Sequence, residues 1–122
     1  MKTYIGVRTP SPCVFVIENS HATVLIHLGG HSDDFEWGYR GSGPMDLATS
    51  LLADAAGVAA AARLAYEFKR QIVASWQADV FSITEAEIAA WAAQQPEQPE
   101  PVHVSFSIPR ESDSVIGGQD KC

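Results

Sequence analysis

The sequence predicts an α+β fold, with an antiparallel sheet of three to four strands and about three helices packed on one face. Runs of β-branched and aromatic residues fill the first forty positions, and the connections between them are too short for parallel crossovers. Apolar residues then recur at helical spacing from position 44 onwards. The chain of 122 residues has room for one domain, which we place at residues 1–94.

Three strands are predicted in the first thirty residues. The first covers residues 2–8 and ends at Thr9-Pro10-Ser11-Pro12, because proline cannot continue a sheet. The next two cover residues 13–18 and 23–28, and the polar residues 19–21 form the hairpin connection between them. Both of these runs are apolar at nearly every position. We therefore expect one face of the sheet to meet the helices and the other to meet a partner chain.

A fourth strand is predicted at residues 35–39, where aromatic residues alternate with other types. Phe35, Trp37 and Tyr39 occupy every second position, which predicts three rings on one face of a strand. The turn Gly41-Ser42-Gly43-Pro44 follows and leads into a helix. Pro44 suits the first helical position, because the N–H that proline lacks has no partner there.

The first helix is predicted over residues 44–56, with its leucines at helical spacing on one side. Asp46, Ser50 and Asp54 are expected to line the opposite side. Asp46 is also predicted to fall in the first turn, where the helix dipole favours a negative charge. Gly57 is a suitable C-terminal cap.

The second helix is predicted over residues 59–75. Its apolar stripe consists of Ala61, Leu64, Phe68 and Ile72, and Tyr66 and Val73 are expected to widen the buried side.

The third helix has the clearest start signal, because Thr84 and Glu87 have the spacing of a capping box. Ile83 is expected to pack against Ile88 across this box, and Trp91 is expected to dock the helix on the core.

The last part of the chain departs from this pattern. Residues 95–101 are rich in Pro, Glu and Gln, which predicts a linker with a polyproline II bias. A C-terminal strand is predicted at residues 102–109, because apolar and polar residues alternate from Val102 to Ile108. This strand either returns to an edge of its own sheet or adds to the sheet of a second copy, which would form a homodimer. Residues 110–122 are predicted to be a disordered tail.

The residues Trp37-Gly38-Tyr39, Gly41-Ser42-Gly43-Pro44 and Leu47-Ala48 form a specific motif, and around it the chain resembles a small uncharacterised domain family. That family is found in bacteria, phages and other mobile elements. The resemblance covers about residues 35 to 92 and implies a sheet-plus-helices fold and an origin on a mobile element. It implies no catalytic residues, because none is known for the family.

The charge balance bears on possible partners. A formal net charge of −7 argues against direct nucleic-acid binding, since such binders carry basic surfaces. The acidic residues form two stretches and are expected to engage a host protein with a basic surface if these stretches adjoin; the candidates are Asp33, Asp34, Glu36, Asp79 and Glu85. The alternative is that they are spread over solvated faces for solubility. No segment resembles a signal peptide or a membrane span, which favours a cytoplasmic location.

The glycine-rich turn is a second candidate site. A strand–glycine–helix junction can hold an anion on backbone N–H groups, so Arg40, Gly41, Ser42 and Gly43 are candidate ligand-binding residues. The sequence lacks the Gly-Lys-Ser/Thr of a P-loop and the spacing of a dinucleotide fingerprint. The structural interpretation, in which the glycines permit a sharp turn, is therefore favoured.

Metal and catalytic sites are not predicted, and neither is a cofactor. The possible ligands have no recognised spacing; they are His21, His27, His31, Asp33, Asp34 and Glu36. Ser42 lacks the Gly-x-Ser-x-Gly spacing of a nucleophile elbow, and neither cysteine lies in a nucleophile context. The chain is therefore predicted not to be an enzyme.

Two hypotheses for function follow. The preferred one is a small acidic, non-enzymatic interaction protein, encoded by a phage or mobile element. It would bind and modulate or inhibit a host protein, as an anti-CRISPR or other anti-defence inhibitor does. The alternative is a protein that binds a small ligand or nucleotide at the glycine-rich strand-to-helix turn.

Overall fold

A computed structural model describes residues 1–96 and confirms the α+β class. Four antiparallel strands form one sheet in the order β3-β2-β1-β4. The strands are β1 (Thr3–Val7), β2 (Cys13–Glu18), β3 (His21–Val24) and β4 (Val80–Thr84). The helices are α1 (Ser42–Ala56), α2 (Val58–Gln71) and α3 (Glu85–Ala93), with a short 3-10 turn at Val73–Ser75.

The two faces of the sheet have different surroundings. Tyr4 on β1 lies opposite Val16 on β2 and Ile83 on β4, and these side chains join the core formed with the helices. Because side chains alternate along a strand, the intervening residues lie on the other side, which we name the outer face. Its apolar residues are Ile5, Val7, Phe15, Ile17, Val24 and Val80. In the part of the chain that the structure covers, these residues lie apart from the hydrophobic core cluster.

The prediction of a strand at residues 35–39 is wrong. This segment is an irregular loop in which Phe35 and Trp37 are buried, while Tyr39 is exposed. Its hydrogen bonds go to the connection after α2: the Trp37 indole donates to the Ala78 carbonyl over 2.8 Å, and the Gly38 N–H donates to the Val73 carbonyl. Gly38 has φ +92°, and this turn of the backbone breaks the alternation before Tyr39.

β4 was not predicted, and it is the fourth strand of the sheet in place of the aromatic segment. It pairs antiparallel with β1, with Tyr4 opposite Ile83. The run Val-Phe-Ser-Ile-Thr ends at Thr84, the N-cap residue of α3, and the sequence pattern there predicts only the start of that helix. β4 pairs with residues more than 70 positions earlier in the chain, so its five residues contain no local signal of that pairing.

The hairpin between β2 and β3 is tighter than predicted. The turn consists of Asn19 and Ser20, both with positive φ, as two-residue hairpin loops of type I′ require. β3 therefore begins at His21 and ends at Val24, rather than covering residues 23–28. Leu25 and His27 are buried beyond the end of the strand.

The polar side predicted for the first helix is wrong for Asp46 and Ser50, whereas Asp54 is exposed as predicted. Asp46 and Ser50 are buried, because both hydrogen-bond to the loop that crosses α1 at residues 27–32. Asp46 is the fifth residue of α1, and therefore lies beyond the first turn. The leucines Leu47, Leu51 and Leu52 are fully buried, as predicted.

The stripe predicted for the second helix is largely confirmed. Ala61, Leu64 and Phe68 are buried, and so is Val73 in the 3-10 turn. Tyr66 does not widen the buried side: its side chain is exposed, with the Lys69 ammonium 4.7 Å from its ring centroid. Tyr66 lies two residues after Leu64, about 200° around the helix, which places it on the solvent side.

The capping box of α3 is confirmed. The Glu87 N–H donates to Thr84 Oγ1 over 3.0 Å, and the Thr84 N–H donates to Glu87 Oε1 over 2.9 Å. Ile88 is fully buried, and the Trp91 ring meets Phe68 edge-on at 4.9 Å. These contacts hold α3 against the core.

Thr84→Ala is expected to lower the free energy of unfolding by about 1 kcal/mol, because the Glu87 N–H at the start of α3 loses its acceptor. Denaturant unfolding followed by circular dichroism measures the change. Thr84→Ser keeps the hydroxyl and serves as the control. Equal losses for the two variants would contradict a capping role for the hydroxyl.

The C-terminal predictions lie outside the described residues: the strand at 102–109, the tail at 110–122 and all of the linker beyond residue 96. Across residues 1–96, none of the helices has the length and apolar character needed to cross a membrane.

Candidate functional site

A buried carboxylate lies at the centre of the most connected polar cluster in the described chain. Asp46 on α1 is 0% exposed. Its Oδ2 lies 2.8 Å from His27 Nε2, and its Oδ1 lies 2.9 Å from His31 Nδ1. The backbone N–H groups of His31 and Ser32 also donate to Oδ2, each over 2.9 Å. The Asp46 side chain is thus within hydrogen-bond distance of two backbone N–H groups and two imidazole rings.

The loop fits Asp46 closely because of a glycine. Gly29 has φ +101°, and a Cβ added there would lie 2.3 Å from Asp46 Oδ1. Further along α1, Ser50 Oγ accepts a hydrogen bond from the Leu28 N–H over 2.8 Å. The His27 ring stacks on Phe35 with 4.3 Å between centroids. Two polar side chains of α1 thus fix the loop that leads to the buried aromatic segment.

His31 is the accessible member of this cluster, with its side chain 58% exposed. A buried aspartate that orients an imidazole also occurs in catalytic dyads, where the second ring nitrogen acts as a base. Here the hydrogen bonds of His31 within residues 1–96 all go to Asp46, and no hydroxyl or thiol is bonded to its ring. The described residues also contain no group of three His, Cys, Asp or Glu side chains suited to a metal ion. The arrangement therefore fixes the loop.

The predicted ligand residues lie at the start of α1. Gly41 is the N-cap residue and its carbonyl accepts from the Met45 N–H, while Ser42 begins the helix. Gly43 is buried, and a Cβ added there would lie 2.9 Å from Glu36 Cβ. Arg40 is exposed beside this turn. The structure thus brings the four residues together, with an acidic side chain beside them.

Two of the predicted partner-binding acids meet at an arginine. Arg8 Nε lies 3.1 Å from Glu36 Oε1, and Arg8 Nη1 lies 2.8 Å from Asp79 Oδ1. The same guanidinium donates to the Trp37 carbonyl over 3.0 Å and lies 4.6 Å from the Trp37 ring. The single positive charge of Arg8 thus offsets part of the negative charge of the two acids, and the local sequence gives no sign of this contact.

The other predicted acids lie elsewhere. Asp33 is exposed and Asp34 half-buried, in the loop that Asp46 fixes. Glu85 follows β4 and accepts a hydrogen bond from the Lys2 backbone N–H, whereas Asp79 precedes β4. The five residues of β4 lie between these two acids, which are therefore about 20 Å apart along the strand. They therefore mark the two ends of one edge strand.

A second buried contact joins the sheet to the end of α1. The hydroxyl of the buried Tyr4 donates to Asp54 Oδ2 over 2.6 Å, and Lys2 Nζ lies 3.1 Å from the same oxygen. Burial, and then the hydrogen bond to Asp54, raise the pKa of Tyr4 well above its ordinary value. An open cleft of about 350 Å³ lies beside Asp54, between Lys2, Glu18 and His21.

This raised pKa predicts a loss of stability at alkaline pH. The unfolded chain releases the Tyr4 proton above about pH 10, whereas the folded chain retains it. The stabilisation is therefore complete below pH 10 and falls as the pH rises, by up to about 1.4 kcal/mol per pH unit. Urea unfolding of the wild type and Tyr4→Phe between pH 8 and 11.5 measures the difference in slope. Parallel pH profiles would contradict the prediction.

Comparison with known proteins gives one match. A family described as a family of unknown function, DUF6166, matches residues 4–94, from β1 to the residue after α3. No curated protein and no solved structure matches the chain.

Proposed function

Because the chain belongs to DUF6166, a family of unknown function, we propose its role from its own surface. It is a small acidic interaction protein, without enzymatic activity, that binds a host protein along the β4 edge of its sheet. The observation that carries the proposal is that, among the strands of residues 1–96, β4 pairs on one side only and borders an apolar sheet face.

The open edge supports binding of an extended segment. β4 pairs with β1 on one side, and within residues 1–96 no strand pairs with its other side. An edge strand presents backbone N–H and C=O groups that a partner strand can pair with. Addition of such a strand supplies affinity through main-chain hydrogen bonds, and alternate side chains supply specificity.

The neighbouring side chains indicate the chemistry of the partner. Val80 is 56% exposed on β4 and continues the apolar outer face, which suits alternate apolar side chains on the added strand. Asp79 and Glu85 lie at the two ends of β4. Arg8 already pairs with Asp79. We therefore propose a partner segment that alternates apolar residues and carries Lys or Arg at the end that meets Glu85, since opposite charges favour encounter and fix register.

A finer proposal concerns the biological setting. The net charge of −7 and the resemblance to proteins of mobile elements support a phage- or mobile-element-encoded inhibitor that acts in the host cytoplasm. Its target would be a host protein with a basic surface, such as a nucleic-acid-handling defence complex.

The test compares two exposed apolar residues of similar exposure. Val80→Lys places a cation within the proposed edge, and Tyr66→Lys is the matched control on α2, where the native side chain is 58% exposed. Tagged wild type and both variants are used to capture proteins from bacterial lysate, and each enriched protein is then purified and titrated. We expect Val80→Lys to bind a genuine partner at least about tenfold more weakly, and Tyr66→Lys to bind it like the wild type.

Equal binding by the two variants would overturn the proposed edge. If the wild type enriches no protein above an untagged control, the interaction role itself loses its support. Unfolding midpoints of both variants show that any lost binding is not lost folding.

The alternative proposal is a ligand-binding role for the turn at the start of α1. The exposed Arg40 beside Gly41, Ser42 and Gly43 supports it. A phosphate-bearing ligand would raise the unfolding temperature by mass action, and Arg40→Ala would reduce that shift. A series of nucleotides and inorganic phosphate in a thermal-shift assay tests this, and a flat series would exclude the role for those ligands.

A further inference from the structure

The open cleft beside Asp54 has a chemistry that the proposed function does not use. It lies between the end of α1 and the hairpin formed by β2 and β3, and we name it the Asp54 cleft. Its volume of about 350 Å³ is at the lower end of the range for small-molecule sites. We infer that the Asp54 cleft binds a primary ammonium group carried on a short aliphatic stem.

Two carboxylates that line the cleft are able to accept further hydrogen bonds. Asp54 comes from α1 and Glu18 from the end of β2. The Tyr4 hydroxyl and the Lys2 ammonium both contact Oδ2 of Asp54, so within residues 1–96 its Oδ1 accepts no hydrogen bond. No side chain of this part of the protein forms a hydrogen bond or an ion pair with the Glu18 carboxylate. An ammonium group, which has three N–H donors, therefore finds acceptors on both the helix and the sheet.

The charges of the cleft favour a cation over an anion. Lys2 provides one positive charge, and Glu18 and Asp54 provide two negative ones. Asp54 also lies in the last turn of α1, which contains no basic residue, and the helix dipole adds partial negative charge there. The hydrogen bond to Asp54 raises the pKa of Lys2 above its ordinary value; burial opposes this rise, and the charges of nearby acids reinforce it. The ammonium of the chain itself is thus stabilised at this position.

Apolar side chains provide a surface for the stem of the ligand. Val16, Val24 and Ile26 line the cleft, and Ile26 is 46% exposed. Long cationic chains place their methylene groups along such surfaces while the charged end stays at polar groups. A bare metal ion would gain nothing from these side chains, and the described residues contain no group of three ligands suited to one. The lining therefore fits an alkylammonium better than an inorganic cation.

An alkylammonium group has two sources. One is a small free amine, and the other is the Lys side chain of a bound protein. Both present the same charged end and the same stem to the cleft, so the test includes one probe for each source.

Titration of the full-length chain with n-butylammonium chloride tests the inference, with amide NMR spectra as the readout. We expect saturable shifts that are confined to the cleft, including the amides of Val24, Ile26 and Asp54. 1-Butanol has the same stem and a neutral end, and it should give no such shifts. Sodium chloride at equal ionic strength controls for general salt effects.

A pair of variants tests the role of the carboxylates. Glu18→Gln removes one negative charge with little change in shape, and we expect it to weaken n-butylammonium binding about threefold to fivefold. Asp33→Asn is the control, because Asp33 is an exposed acid that does not line the cleft, and this variant should bind like the wild type. The dispersion of the amide spectra shows that both variants are folded.

The second probe, Nα-acetyl-lysine methylamide, identifies the source. If it binds more tightly than n-butylammonium, the site is assigned to a Lys side chain of a protein; equal or weaker binding assigns it to a free amine. Three results would overturn the inference: n-butylammonium acts only as sodium chloride does, 1-butanol binds equally well, or Glu18→Gln and Asp33→Asn bind alike. None of these measurements uses a host protein or the β4 edge, so their outcome is independent of the Val80→Lys binding test.

Discussion

Asp46→Ala is expected to lower the free energy of unfolding by about 3 kcal/mol, because each buried hydrogen-bond donor left without an acceptor costs about 1–3 kcal/mol. The carboxylate of Asp46 accepts hydrogen bonds from His27, His31 and Ser32, and all of these donors lose their acceptor in the variant. The Gly29 turn, which is shaped around Asp46 Oδ1, would lose its contact as well. Urea unfolding followed by circular dichroism measures the effect.

A graded series keeps this prediction testable if the alanine variant does not fold. Asp46→Asn retains the shape and one acceptor oxygen, and is expected to be less destabilising than Asp46→Ala. Asp33→Asn is the matched control, because Asp33 is an exposed aspartate in the same loop, and it should stay within about 0.5 kcal/mol of the wild type. A loss below 1 kcal/mol for Asp46→Ala would show that Asp46 does not hold the loop.

Trp37→Ala is expected to cost about 3–5 kcal/mol, the usual range for removing a buried large aromatic side chain. Trp37 is 1% exposed and meets Phe81 edge-on at 4.8 Å. Its indole N–H also donates to the Ala78 carbonyl, and its ring lies under the Arg8 guanidinium. The variant therefore loses packing, a hydrogen bond and a cation–π contact together.

Trp37→Phe separates these contributions, because it keeps an aromatic ring and removes the indole donor. We expect a loss of about 1–3 kcal/mol, mainly from the unpaired Ala78 carbonyl. Chemical denaturation of both variants measures the difference. If Trp37→Phe were as destabilising as Trp37→Ala, the ring packing against Phe81 would contribute little.

Features that depend on neighbouring residues were predictable from the sequence. The capping box of α3 needs only Thr84 and Glu87, three residues apart, and the structure contains both of its hydrogen bonds. The buried leucines of α1 follow directly from helical spacing. In each case the sequence within one or two helical turns contains all the interacting groups.

Features that depend on distant residues were not predictable. The alternation at residues 35–39 fits a strand, but Trp37 and Gly38 donate hydrogen bonds to the carbonyls of residues 78 and 73. Asp46 reads as a solvent-facing residue until its partners, 15 and 19 positions earlier in the chain, are folded beside it. The pairing of β4 with β1 is similarly distant.

The candidate site was likewise predictable only in part. The sequence identified Glu36 and Asp79 as acidic residues of possible importance, but only the fold places both against Arg8. It also identified His27 and His31 as possible metal ligands, whereas in the structure both imidazole rings contact the carboxylate of Asp46. The type and charge of each residue can be read from the sequence, but the residue that it contacts in the folded chain cannot.

The position of β1 has a consequence for synthesis of the protein. Residues 3–7 leave the ribosome before the other strands of the sheet, and β1 lies in the middle of the sheet, where it needs strands on both sides. The hairpin with β2 can form early, but the second neighbour is complete only when residue 84 has emerged. Because domains generally fold as units, the nascent chain would acquire its stable structure late in translation, and truncation before residue 84 would leave β1 as an aggregation-prone edge.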